Sequence, residues 1–210
     1  MPYEVRADRA WFRRVLTLGV VLGTSLMIGC IKPHAYLEPT MKEIPVTEFK
    51  KPEPPKVAHM TFEFRTKGAP NARATKTLTD QVKIQVKESG LFANVDAPAS
   101  PEVGLLGIAI DNVALADQGD AKSKGFATGF TFGLVGTSVS DGYICTLSYL
   151  APGSKDAIVK TTRNVIHSTI GNANPPAGAI PTESPRQAAD IMVRQILSHA
   201  LHDLSVDPQF

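Results

Sequence analysis

Two histidines one helical turn apart, His199 and His202, followed by Asp203, are residues of this 210-residue chain whose types and spacing could do chemistry. Side chains at i and i+3 share a helix face, so two imidazoles placed this way can share a metal ion. A closed zinc site needs about four ligands, and no further ligand accompanies this pair in the sequence. The C-terminal end of a helix also favours histidine electrostatically. His167 and Ser168 are adjacent in a run that reads as a strand, where neighbours point to opposite faces, so they make a poor nucleophile and base. Cys145, with Ile144 and Leu147 about it, reads as a small apolar core residue rather than a thiolate nucleophile. The chain has no Walker loop, nucleophile elbow, CxxC pair or dinucleotide fingerprint. It is therefore expected to be no enzyme and to use no metal or cofactor.

Charge narrows the partners. Residues 1–29 take four of the 22 basic and two of the 20 acidic side chains, which leaves 18 of each beyond them. Nucleic-acid binding needs clustered cations to neutralise phosphates, and a neutral chain carries no such footprint. There are two cysteines, Cys30 and Cys145. Two cysteines exclude a disulfide-stapled mini-fold, and Cys145 is expected to be buried and inert.

The elements that must position these residues follow from periodicity. Residues 59–65 (HMTFEFR) alternate Met60, Phe62 and Phe64 with polar neighbours, a half-buried strand. Asn71 can cap a helix whose Leu78, Val82 and Val86 recur at i+4, and Gly90 can end it. Residues 103–116 are apolar on both parities at their start, as in a central strand. Residues 143–150 and 157–170 read as two more strands. Ser184 and Pro185 then open a helix whose Val193, Ile196, Leu197, Ala200, Leu201 and Leu204 form one stripe. The order β-α-β-(Gly-rich insert)-β-β-α predicts an α+β fold, with two helices on one face of a mainly antiparallel sheet. Residues 59–206 are expected to be one such domain.

The N-terminus reads as an address. Arg6, Arg9, Arg13 and Arg14 precede residues 15–28, an uncharged apolar run of 14 residues that meets Gly29 and Cys30. A secretory core is ~7–15 residues long, whereas a spanning helix needs about 20. Leu26-Met27-Ile28-Gly29-Cys30 resembles the lipobox of bacterial lipoproteins, with Met27 where leucine is most usual. The resemblance implies a signal peptide over residues 1–29, cleavage after Gly29, and acyl chains on Cys30 that anchor the protein in a membrane. Two or three chains hold stably where one is marginal. Ile31 stands where an aspartate retains such proteins in the inner membrane, which implies the outer membrane with the domain facing the periplasm. Residues 31–58 hold six prolines. They are expected, with Cys30, to form an extended tether of residues 30–58 reaching roughly 80 Å, or else an arm packed on its own domain or a neighbour.

The helix followed by residues 88–95 (ESGLFANV) resembles a signature of small α+β envelope lipoproteins. That group includes the curli secretion lipoprotein, the TolB N-terminal domain and the lipoprotein activators of penicillin-binding proteins. The conjugal surface-exclusion lipoproteins are also similar, with a glycine-rich insert after the second strand. What the group shares is scaffolding, regulation or ring assembly in the envelope, and the resemblance implies a role of that kind.

Residues 124–138 (KGFATGFTFGLVGTS) are that insert here. Gly125, Gly129 and Gly133 are spaced by four, so a helix would present a smooth contact stripe beside a ridge of Phe126, Phe130 and Leu134. As a strand, Phe126, Phe130, Phe132 and Leu134 would share one face, as in a hairpin arm against lipid or a partner. A buried strand and turn inside the domain is the third reading. The uncharged run is too short for a helix to cross a hydrocarbon core of ~30 Å. These seven residues are expected to contact a membrane or other copies of the chain. The expected role is a structural or assembly component of an envelope complex, homo-oligomeric; the alternative is a monomeric tethered regulator that docks on a periplasmic enzyme such as a cell-wall synthase.

Overall fold

Alternation along the strands decides which side of the sheet is covered. The computed structural model describes residues 33–114 and 137–210. In strand β2 (Lys56–Thr66), Ala58 and Phe64 are buried and Met60 and Phe62 pack against the core. In β5 (Gly104–Ala114), Leu106, Ile108 and Ile110 are buried on the same side while Leu105 is 41% exposed. In β6 (Thr137–Leu150), Cys145, Leu147 and Tyr149 fill that side too. β5 holds the central position expected of it, and one of its two faces is covered. Gly107 and Ala109 make its other face small rather than buried.

The remaining elements, in chain order, are β1 (His34–Leu37), a 3-10 turn (Val46–Glu48), β3 (Ala69–Pro70), helix α1 (Ala72–Glu88), β4 (Phe92–Asn94), β7 (Ile158–Ile170), β8 (Ile180–Pro181) and helix α2 (Pro185–Ser205). The sheet runs β3-β2-β5-β6-β7-β1-β8, with β4 pairing β2. β2 and β5 are parallel, and α1 is the crossover between them that such a pair requires. Every other neighbour along the path is antiparallel. The fold is α+β, with both helices on one face.

The helix signals act as expected. Asn71 accepts the Ala74 N–H at 3.0 Å, and Gly90 follows α1 at φ +71°. Ser184 accepts the Gln187 N–H at 3.1 Å, with Pro185 in the first turn. Leu78, Val82 and Val86 of α1 and the six stripe residues of α2 are all buried. Gln81 Nε2 donates to the Asp190 carbonyl at 2.9 Å and Gln85 Nε2 to that of Arg194 at 2.7 Å. Equal steps in one direction make the two helices parallel, so both begin at the same end of the domain.

Of the two readings of the proline-rich stretch, residues 33–58 follow the arm packed on its own domain rather than the free tether, so the domain does not begin at residue 59. Pro33–Phe210 form one compact unit. β1 is an inner strand between β7 and β8, with Ala35 and Leu37 buried. The chain then crosses α2, burying Phe49, and β2 starts at Lys56. Prolines keep this segment extended, and apolar groups between them gain burial that a solvated tether would forgo. At the other end the domain runs past residue 206: Phe210 packs edge-on against Phe92 and Tyr149. Thr137 and Ser138, the end of the expected insert, open β6.

Candidate functional site

His34 opens β1 four positions after Cys30. In the sheet, His34 lies opposite Thr169 of β7, which lies opposite Ser138 of β6. One row thus joins the strand that comes from Cys30, the strand that follows residues 115–136, and the end of β7. On the outer side Thr182 donates both its N–H, at 3.0 Å, and its hydroxyl, at 2.8 Å, to the Ala35 carbonyl. Ser184 caps α2 two residues later. The start of β1 and the first turns of both helices therefore share one end of the domain.

Between those first turns lies a cavity of about 470 Å³. Its lining includes Phe64, Leu78, Met192 and Val193, all buried, and Tyr143, whose ring centroid is 6.5 Å from that of Phe64. Burial, with the Asp141 charge adding to it, pushes the Tyr143 hydroxyl up to about 12, so it stays protonated. Arg73 of α1 and Arg186 of α2 line the same cavity and are exposed. Asp190 also lines it, 4.0 Å from Arg186. The exposed Lys67 and Lys76 stand in the turn before α1 and in its second turn.

A hydrogen-bonded row ties the chain after β1 to the sheet. His167 Nδ1 lies 2.7 Å from Ser140 Oγ, and His167 Nε2 lies 3.3 Å from Glu38 Oε2. A carboxylate only accepts, so in the neutral ring Nε2 carries the proton and Nδ1 accepts the Ser140 hydroxyl. Ser168 is not the partner; Ser140, directly across on β6, is. Three residue types of a nucleophile–base–acid relay meet here, but they span three neighbouring chain segments and hold Glu38 down on a histidine that is 8% exposed.

His199 and His202 also serve the arm. His199 Nε2 donates to the Lys42 carbonyl at 2.8 Å, and the His202 ring meets that of Phe49 edge-on at 5.9 Å. Among the described residues no group of three or more His, Cys, Asp or Glu side chains is gathered to hold a metal ion. The uncovered sheet face carries a shallow trough of about 630 Å³ where Gly107 and Ala109 lie low between Thr61, Glu63, Ile144 and Thr146.

Cys30 and the insert residues Gly125, Phe126, Gly129, Phe130, Phe132, Gly133 and Leu134 lie outside the described residues. Sequence reading missed the Arg73–Arg186 cavity and the Glu38–His167–Ser140 row, because each joins residues far apart in the chain. No helix among the described residues is long and apolar enough to cross a membrane. No protein-family model matches the chain, and no curated protein matches it. Among solved structures it is similar to the rare lipoprotein B of Shewanella oneidensis. The TM-score is 0.31 and the identity 11%, over 68% of this chain and 88% of that one. That likeness is too loose to assign a function.

Proposed function

We propose that the chain is a lipid-anchored protein of the bacterial outer membrane, held by acyl chains on Cys30. It serves as a structural or assembly component of an envelope complex and works as a homo-oligomer, without catalysis. The anchor rests on the arginine-rich start, the 14-residue apolar run and the lipobox-like segment before Cys30. The observation that carries the choice of role is the place of β1. A regulator that docks on a distant enzyme needs reach, and residues 34–55 supply none because they lie on the domain. Ile31, Lys32 and Pro33 alone separate Cys30 from β1, so from Cys30 to His34 the chain can span at most ~14 Å. A domain kept that close to its anchor suits a part fixed in an assembly.

Two experiments test this. Palmitate incorporation should be lost in a Cys30→Ala variant; unchanged labelling would sink the anchor. Light scattering on the detergent-extracted protein should give a mass of several subunits, reduced in Gly129→Leu, where a leucine would break the small-residue stripe of the insert. A strictly monomeric parent would remove the homo-oligomer.

A further inference from the structure

The end of the domain where β1 starts carries a cavity with an apolar floor and a cationic rim, and we infer that this cavity takes an anionic phospholipid of the bilayer that holds the anchor. The inference rests on the acylation of Cys30 proposed above. The cavity and its rim lie wholly in the described residues.

The first argument is position. A chain of four residues from Cys30 brings His34 within ~14 Å of the acylated cysteine. His34 is the first residue of an inner strand, so with Cys30 acylated the link keeps that sheet end within ~14 Å of the lipid headgroups. Thr182 is bonded to Ala35 there, and Arg186 follows Thr182 by four positions. The parallel arrangement of α1 and α2 brings Arg73 to the same end.

The second argument is chemistry. Phe64, Leu78 and Met192 offer hydrocarbon, while Arg73 and Arg186 offer guanidinium groups at the mouth. A guanidinium donates two parallel N–H bonds, a geometry that fits phosphate. Asp190, and Asp141 whose charge acts on Tyr143, answer part of the rim charge, while Lys67 and Lys76 are two further exposed cations at that end of the domain. Among the described residues neither lysine has a carboxylate partner in an ion pair. A phosphodiester headgroup with a net negative charge fits that mouth, and part of an acyl chain fits the floor. A free phosphate ion would leave the apolar floor unused. Cations near an anionic leaflet gain attraction that falls off within a Debye length, so the short link to Cys30 is what makes them effective.

The test uses the full acylated protein, extracted and reconstituted into vesicles of phosphatidylglycerol and phosphatidylcholine that contain a headgroup spin-labelled phosphatidylcholine. Thr77→Cys at the cavity and Lys155→Cys in the turn between β6 and β7, at the opposite end, each carry a fluorophore. Quenching is expected for the label at position 77 and not at 155. It should fall in vesicles of phosphatidylcholine alone, and to the same degree in an Arg73→Gln, Arg186→Gln variant in the mixed vesicles. Equal quenching of both labels, or quenching at 77 that ignores both phosphatidylglycerol and the arginines, would overturn the inference. Palmitate content is measured on the same preparations. Acylated protein with an unquenched label at 77 removes the lipid site and leaves the anchor standing, whereas protein without palmitate removes both.

Discussion

Ser198 of α2 takes the backbone N–H of Ile44 on its hydroxyl oxygen at 3.0 Å. The same hydroxyl donates to the Gln195 carbonyl at 2.7 Å. Two turns later the motif repeats: Ser205 accepts the Lys50 N–H at 3.2 Å and donates to the His202 carbonyl at 2.7 Å. Each serine joins the arm to the helix without leaving a polar group unpaired. One turn before Ser198, Arg194 meets Glu43 through two bonds of 3.0 and 3.1 Å. Ser198→Ala strands a shielded N–H, which costs roughly 1–3 kcal/mol. Urea unfolding should show that loss, and hydrogen exchange should show the Ile44 and Lys50 amides quickening most in Ser198→Ala, Ser205→Ala. Exchange confined to the rate of the central strands would mean that the serines do not hold the arm.

Gly104 is required by its neighbour rather than by its backbone. A Cβ there would lie 2.8 Å from the ring and hydroxyl of Tyr149, which is 1% exposed and wedged against Phe92 and Phe210. Overpacking of this kind costs about 1–3 kcal/mol. Gly104→Ala should lower the urea midpoint by an amount in that range, and adding Tyr149→Leu should recover part of the clash while losing packing. A midpoint unchanged by Gly104→Ala alone would show that the ring has room to move.

Lys160 on β7 donates to the Asp207 carboxylate at 2.7 Å, closing the C-terminal segment onto the sheet. That ammonium, helped by the Gln209 N–H, holds the Asp207 carboxyl below its ordinary range. A carboxyl that is more acidic when folded stabilises the fold above the unfolded value of ~3.9, and the gain is lost as pH falls through the lower folded value. Lys160→Met should therefore unfold at lower urea than the parent at pH 7. The gap should narrow as the pH drops below about 4. A gap of constant size across that range would assign the effect to packing alone.

Cys145 is fully buried, and burial pushes its thiol up to about 12. The thiolate is the reactive form, so a maleimide or disulfide reagent at pH 8 should leave Cys145 of the native protein unmodified. One thiol should react once guanidinium unfolds it. Fast reaction in the native state would mean that the β6 core opens locally.

Much of the fold can be read from local pattern because the local forces act alone there. The α1 and α2 stripes, the Asn71 and Ser184 caps and the Gly90 stop depend on neighbours within a few residues. The covered face of β2 shows in the alternation of Met60, Phe62 and Phe64. The partners of the arm do not show, because β1 pairs with residues 166–169 and 180–181, and nothing in a proline-rich stretch marks which distant groups will satisfy its backbone. One signal was available: Ser198 and Ser205 stand seven apart inside an otherwise apolar stripe, which is where an external N–H can be met. The Arg73–Arg186 rim belongs to two helices joined only in space. Periodicity places each arginine on a polar face and does not say that the faces adjoin.

The position of β1 also has a consequence in time. It is the first strand among the described residues, and both its partners, β7 and β8, are among the last of them to be made. A chain delivered N-terminus first presents His34–Leu37 while the place it will fill does not yet exist. Closing so long a loop is the slow kind of step in folding. Pairing of β1 therefore waits until β7 and β8 exist, long after the strand itself has been made.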